Sequence, residues 1–222
     1  MPAEILLVHG SMLGAWCWED TIAELAGLGT EAAAFDLPGH GEDPTPRGSV
    51  TVADYVAAVV DRLDAAPEPV VLAGHSMAGY PIAAAALERP EKVRHLVYFS
   101  AQARKPGQSW ADTLDPAIRE TYEREAAERG DGSYVVPAEV VASRWLSSLD
   151  PEDPAVETIR SRLRVLSYPA TTAWRAAAVP AGSVSMAQWS PPMVTSRVAA
   201  GRLERDIRIR RSVFCRSSSG QM

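Results

Sequence analysis

Ser76 stands in the stretch Gly74-His75-Ser76-Met77-Ala78-Gly79, a motif of the G-x-S-x-G type. An apolar run, Pro69-Val70-Val71-Leu72-Ala73, leads into it, and a helix-like run over residues 80–87 follows. Between a strand and a helix, such a motif describes a nucleophile elbow. It is a strained turn that lifts a serine hydroxyl above the sheet, with small neighbours letting strand and helix pass close together. Ser76 is therefore the candidate nucleophile for acyl transfer. The second chemical signal is Leu7-Val8-His9-Gly10-Ser11, a His-Gly turn just past another apolar run. Alone, it is an ordinary strand-end turn. Beside an elbow it can offer a backbone N–H to a developing oxyanion, while the residue following the nucleophile offers another. That reading assigns the N–H groups of Ser11 and Met77. Backbone donors suit the task because they are rigid, and losing one oxyanion donor costs about 3–4 kcal/mol.

These groups meet only if strands carry them to one edge of a sheet. Apolar runs alternate with helical patterns along the chain, which predicts a parallel sheet flanked by helices, an α/β fold. Strands are expected over residues 4–8, 31–35, 69–73 and 93–99. Residues 18–28 read as a helix with Ile22, Leu25 and Ala26 on one face. Residues 51–64 read as another, capped by Thr51 with Asp54 three residues on, and with Tyr55, Val56, Val59 and Val60 at core spacing. Beyond Ala101 the pattern changes. Residues 105–164 alternate Pro/Gly breaks with acidic helical pieces, over 116–129 and 137–149, and no strand is expected there. Further strands are expected over 183–187 and 207–209. The organisation read from this is a core over residues 1–104, an inserted all-helical cap over 105–164, and a final core segment over 165–222.

With 222 residues, 46% of them hydrophobic and 23% charged, the chain suits one soluble domain that needs neither disulfide nor metal. Cys17 and Cys215 lie far apart without ligand spacing, and no histidine–carboxylate cluster suggests a metal. No run approaches the ~18 apolar residues of a membrane span, and no basic leader precedes the first strand, so a cytoplasmic protein is expected. Net charge is −6 but unevenly spread. Residues 1–164 hold 14 basic and 26 acidic side chains, whereas residues 165–222 hold eight arginines against Glu204 and Asp206. The basic tail lacks lysine, zinc spacing and any nucleic-acid motif, so no nucleic-acid partner is expected. The acidic run Glu120, Glu123, Glu125 and Glu128 reads as a solvated helix face.

Four stretches taken together carry a resemblance: L-V-H-G-x-x-x-G-A-W-x-W from Leu7, F-D-L-P-G-H-G from Phe35, G-H-S-M-A-G from Gly74, and L-V-Y-F-S-A-Q-A-R-K-P-G-Q-S from Leu96. They resemble the α/β-hydrolase fold. More narrowly, they resemble the esterase and hydroxynitrile-lyase branch typified by plant methyl-salicylate and methyl-jasmonate esterases and their bacterial relatives. The resemblance implies a parallel core sheet, a helical cap over an apolar pocket, a Ser-Asp-His triad in that chain order, and no cofactor. It implies acylation of Ser76 by a small apolar or aromatic ester, methyl esters foremost, followed by attack of water. Lyases of the branch typically carry threonine where Gly10 stands and a lysine late in the chain. Here the lysines are Lys92 and Lys105, so the resemblance points to an esterase. Trp110 and Trp145 fall in the expected cap and either line its pocket or form its core.

The same resemblance leaves the triad acid and base unassigned. All four histidines, His9, His40, His75 and His95, precede residue 100. Where a G-H-S-P-F-like turn is expected stand Arg211-Ser212-Val213-Phe214, and arginine cannot accept the serine proton. Trp189-Ser190-Pro191-Pro192 stand where the acid is expected, and Asp206 is the one later aspartate. Cys215-Arg216-Ser217-Ser218-Ser219 has no apolar period. With the charge reversal, this suggests that part of 165–222 is out of frame, deleted or diverged relative to the pattern. Two expectations follow: an esterase of reduced or lost activity, or a catalytically silent relative that binds small ligands.

Overall fold

The computed structural model describes residues 3–101, 115–136, 154–162, 166–167 and 184–185, together with Asp112, Val141, Leu146, Asp150 and Glu152. Its strands are β1 (Ile5–Val8), β2 (Ala32–Phe35), β3 (Val70–His75), β4 (Val93–Phe99), β5 (Ser133–Tyr134), β6 (Leu166–Ser167) and β7 (Val184–Ser185). Its α-helices are α1 (Glu19–Gly27), α2 (Val52–Ala65), α3 (Gly79–Glu88), α4 (Pro116–Arg129) and α5 (Pro154–Arg162). Five strands form a sheet in the order β2-β1-β3-β4-β7, with every adjacent pair parallel. Parallel neighbours need crossovers, which α1, α2 and α3 supply. The expected parallel α/β architecture is thus present.

The strands read as near-continuous apolar runs because both faces of the sheet are covered. On one face Leu6, Val8, Phe35, Leu72, Leu96 and Tyr98 pack against α2 and α3 to make the main core. On the other, Leu7 and Ala73 pack with Trp18, joined by half-buried Ile22 from α1. In α2 every residue expected at core spacing is buried, together with Val52 and Leu63. Its start is fixed by a capping box: Asp54 N–H donates to Thr51 Oγ1 at 3.3 Å and Thr51 N–H to Asp54 Oδ2 at 2.7 Å. Such a cap contributes about 1 kcal/mol. The α1 face differs from expectation. Trp18 closes a preceding 3-10 turn (Ala15–Trp18), and Ala26 is exposed. Ile22 packs against the sheet and Leu25 is half-buried.

Beyond the sheet, α4 begins and ends where the sequence predicts. Asp115 caps it by accepting Ala117 N–H at 2.9 Å, and Gly130 closes it in the left-handed conformation. The expectation of a strand-free segment is corrected: β5 pairs antiparallel with β6. Two residues are too few to show an alternating pattern, and the partner strand lies a whole helix further along the chain. Buried Tyr134 of β5 stacks on Tyr122 of α4 at 4.4 Å. The strand expected near residue 184 is β7, paired with Leu96 and Val97. Most of the helix expected over 137–149, the strand over 207–209 and the tail beyond lie outside the described residues. Among the described residues no helix is long and apolar enough to cross a membrane.

Candidate active site

The chain passes from β1 to β2 on one side and then crosses back to β3 on the other side of β1. Strand order reverses there, and the crevice at the carboxyl ends of β1 and β3 is where open α/β sheets bind ligands. Val8 of β1 lies beside Gly74 of β3 in register. Both sequence motifs begin at these two strand ends.

Ser76 follows β3 directly, and the 3-10 turn Ser76–Ala78 runs straight into α3. Its φ is +53°, in the left-handed region. A side chain held there costs about 1–2 kcal/mol, a strain that clusters at functional sites. The close approach of strand and helix is visible at Gly74. A Cβ there would stand 2.8 Å from Ile82 Cδ1 and 3.1 Å from Ala78 Cβ. The place two residues past the serine thus holds Ala78, not the glycine of the general pattern. Its methyl fits because Gly74 opposite carries none.

The second motif lies against the elbow. A Cβ on Gly10 would stand 2.8 Å from His75 Nδ1 and 3.0 Å from Ser76 Cβ, so no side chain fits without displacing one of them. Threonine, the residue associated with lyases, meets the same obstacle. Leu13 N–H donates to Gly10 O at 3.4 Å and closes a four-residue turn. Met12, its third residue, has φ +64°, the backbone of a type II turn, where glycine or asparagine is favoured. Half-buried Ser11 sits between Gly10 and Met12, and buried Met77 directly follows Ser76.

Asp36, which the sequence reading passed over, ties the two loops behind this turn. Its carboxylate accepts Ala15 N–H at 2.6 Å and Glu42 N–H at 2.9 Å. A Cβ on Gly14 would stand 2.7 Å from Asp36 Oδ1, and one on Gly41 would overlap the carboxyl group. The signal was present in the sequence: a carboxylate just past a strand, with G-A-W and G-H-G segments that leave room for it.

Two of the four histidines, His9 and His40, are committed to hydrogen bonds within the fold. His9, fully buried, donates from Nδ1 to Gly10 O at 2.8 Å and accepts Leu37 N–H at Nε2 at 3.0 Å. His40 donates from Nδ1 to Leu13 O at 3.2 Å and accepts the Tyr55 hydroxyl at Nε2 at 2.8 Å. Burial holds His9 below the ordinary imidazole pKa and pushes His40 down to about 3, so both rings are neutral with both nitrogens committed. The His75 ring is wedged edge-on to Trp18 at 6.4 Å and beside Phe99 at 5.9 Å. Burial, then the neighbouring His9, push it down to about 4. His95 is exposed on β4. Among the described residues no imidazole hydrogen-bonds the Ser76 hydroxyl. Cys17 is no rival nucleophile, since burial pushes its thiol up to about 12 and so keeps it protonated at neutral pH. Among the described residues no three His, Cys, Asp or Glu side chains are grouped to hold a metal ion. Asp206, Arg211, Trp110 and Trp145 lie outside the described residues.

Contacts among the described residues join this region to the elements beyond the sheet. Met12 packs against the cluster of Tyr134, Val136 and Val141, which Tyr122 and Leu146 also join. A Cβ on Gly48 would overlap the Asp131 carbonyl oxygen. The Arg162 guanidinium of α5 lies 5.2 Å over the Trp16 ring and 3.5 Å from Glu19. Sequence reading assigned no role to Met12.

The alpha/beta hydrolase family matches residues 5–213, a span that includes most of the segment read as diverged. Esterase PIR7B of Oryza sativa subsp. japonica is 37% identical over 100 residues, 43% of this chain and 37% of that protein. Methylesterase 17 of Arabidopsis thaliana is 32% identical over 109 residues, 48% of this chain and 40% of that protein. The chain spans less than half the length of the curated relatives it matches. Among solved structures, an extracellular alpha/beta-hydrolase from a Paenibacillus species, described as sharing structural and functional homology with tobacco salicylic acid binding protein 2, aligns with a TM-score of 0.70. It is 24% identical over 80% of this chain and 72% of that one. A methylesterase from Arabidopsis aligns with a TM-score of 0.61 and 22% identity, covering 76% of this chain and 68% of that one.

Proposed function

The chain belongs to the alpha/beta hydrolase family, and we propose that within it the protein is a carboxylic-ester hydrolase working through a serine acyl-enzyme. One observation carries the reading: Ser76, left-handed between β3 and α3, has the backbone of Gly10 pressed against its Cβ. Ser76 Oγ attacks the ester carbonyl. The carbonyl oxygen, now negative, takes the N–H groups of Ser11 and Met77. The alcohol leaves with the proton that Ser76 Oγ gave up, and water then splits the acyl-serine, its hydroxyl going to the acid and its proton back to Ser76 Oγ. The relatives' names, methylesterase and esterase, support a methyl ester as substrate. The segment expected as a cap over residues 105–164, of which α4, β5 and α5 are described, covers the ester in this reading. No metal or cofactor takes part in these steps.

The weak link is the proton on Ser76 Oγ. His9 and His40 have no free nitrogen, and His75 is held among aromatic rings. Acylation without a poised base forfeits about 10²–10⁴ in rate, so reduced or lost turnover is the expectation for this chain. The same observation favours a second reading, a silent relative that binds small esters or acids in the covered crevice.

Labelling by a fluorophosphonate, with turnover of p-nitrophenyl acetate in parallel, separates the two. The hydrolase reading expects covalent label on Ser76, slow relative to active esterases and absent from Ser76→Ala. An unlabelled wild-type protein that still binds a small aromatic acid supports the silent relative. A Ser76→Ala variant with full turnover overturns the serine assignment.

A further inference from the structure

Met12 combines two features that pull in opposite directions. Its backbone, with φ +64°, is one that glycine would adopt without cost. The residue present instead carries a long apolar side chain, packed against Tyr134, Val136 and Val141 beyond the sheet. Tyr134 is itself fully buried and stacked on Tyr122 of α4. On the other side of Met12, Ser11 is the next residue, and Gly10 follows with its Cα hydrogen aimed at Ser76 Cβ and the His75 ring. One residue is thus fastened by its side chain to the α4–β5 layer and by its backbone to the turn that touches the nucleophile.

We propose that Met12 is a positioning residue. Anchored in the Tyr134 cluster, it sets the direction of the Ser11 N–H, so the oxyanion pocket is complete only when the α4–β5 layer is seated on the core. The inference rests on the roles proposed for Ser76 and Ser11. Gly48 against Asp131 seats the same layer at a point away from the turn. That contact holds the layer down, whereas Met12 lies within the turn. Methionine suits an anchor of this kind. Its unbranched thioether fills an irregular gap and follows small shifts of the cluster, and it lacks the β-branch that would clash in the left-handed backbone.

The substitution series separates anchoring from backbone relief. Met12→Gly suits the turn but removes the anchor; Met12→Ala removes the anchor and keeps the strain; Met12→Leu keeps an apolar anchor. The readout is fluorophosphonate labelling of Ser76, resolved into maximal rate and half-saturating concentration, on protein shown folded by circular dichroism. The maximal rate is expected to fall on the order of tenfold in both Met12→Gly and Met12→Ala, with little change in half-saturation, and to be kept by Met12→Leu. Wild-type rates in Met12→Gly and Met12→Ala overturn the proposal. A second measurement does not depend on chemistry at Ser76: hydrogen exchange at the Leu13 amide, whose bond to Gly10 O closes the turn, is expected to accelerate in Met12→Ala and Met12→Gly but not in Met12→Leu. An unlabelled wild-type protein defeats the serine reading, and the exchange result then decides the anchor. Unchanged Leu13 exchange in Met12→Ala overturns it.

Discussion

Gly10→Ala is the perturbation whose consequences follow most directly from the geometry. The added methyl would stand 2.8 Å from His75 Nδ1 and 3.0 Å from Ser76 Cβ, where ordinary contacts begin at 3.4 Å. Neither neighbour yields easily. The His75 ring is held between Trp18 and Phe99, and Ser76 is fixed at the start of the turn into α3. Gly10 cannot retreat freely, because its carbonyl accepts both His9 Nδ1–H and Leu13 N–H. Overpacking of this kind costs about 1–3 kcal/mol, and in a chain of this length each kcal/mol lowers Tm by roughly 2–4 °C. Whatever strain is relieved by moving the serine appears as lost rate, since a displacement of about half an ångström at a nucleophile costs on the order of tenfold. Thermal unfolding and fluorophosphonate labelling measure the two parts. Gly27→Ala is the matched control. An added methyl there meets nothing within 4 Å, and the position is helical, so the change is expected to stabilise by up to about 1 kcal/mol. A Gly10→Ala protein with wild-type Tm and wild-type labelling would refute the claim that the His-Gly turn abuts the elbow.

The left-handed backbone at Ser76 makes Ser76→Gly more stable than Ser76→Ala. Relief of about 1–2 kcal/mol is partly offset by the greater freedom of glycine in the unfolded chain, leaving about 0.5–1 kcal/mol. Urea denaturation checks this, and equal stability of the two variants would count against the strained elbow. A third expectation concerns pH. Unfolded imidazoles bind protons near pH 6.5, whereas the folded protein holds His40 near 3 and His75 near 4. Between those values the unfolded chain carries more protons, so stability falls as pH drops below about 6.5, by about 2 kcal/mol per histidine at pH 5. Urea midpoints at pH 7.5 and 5.0 test it, and a flat profile would show that these rings are not buried neutral.

Much of the fold was legible because its signals are local. The spacing of Tyr55, Val56, Val59 and Val60 after Thr51 encodes an amphipathic capped helix. Asp115-Pro116 and Gly130 mark both ends of α4. The left-handed serine is written in the strand, small residues and helix that surround it. What was missed depends on partners far along the chain. The β5–β6 pair is too short to leave a periodic trace. Ala26 is exposed although it shares the expected face with Ile22, because the sheet covers only part of that face and Trp18, in the 3-10 turn before α1, fills the cluster beside Ile22. Asp36 earns its role only where the loops after β1 and β2 are brought side by side.

The candidate site divides in the same way. Residue order alone determined that a serine would sit on a tight strand-to-helix bend and that a His-Gly turn would follow the first strand, because backbone conformation answers to neighbours a few positions away. Only the folded chain decided that Gly10 touches Ser76, that His9 and His40 are spent on structural hydrogen bonds, and that Met12 is held by Tyr134. Most of these contacts join segments far apart in the chain. Their energy emerges when whole surfaces close on one another, and no local window of sequence contains it.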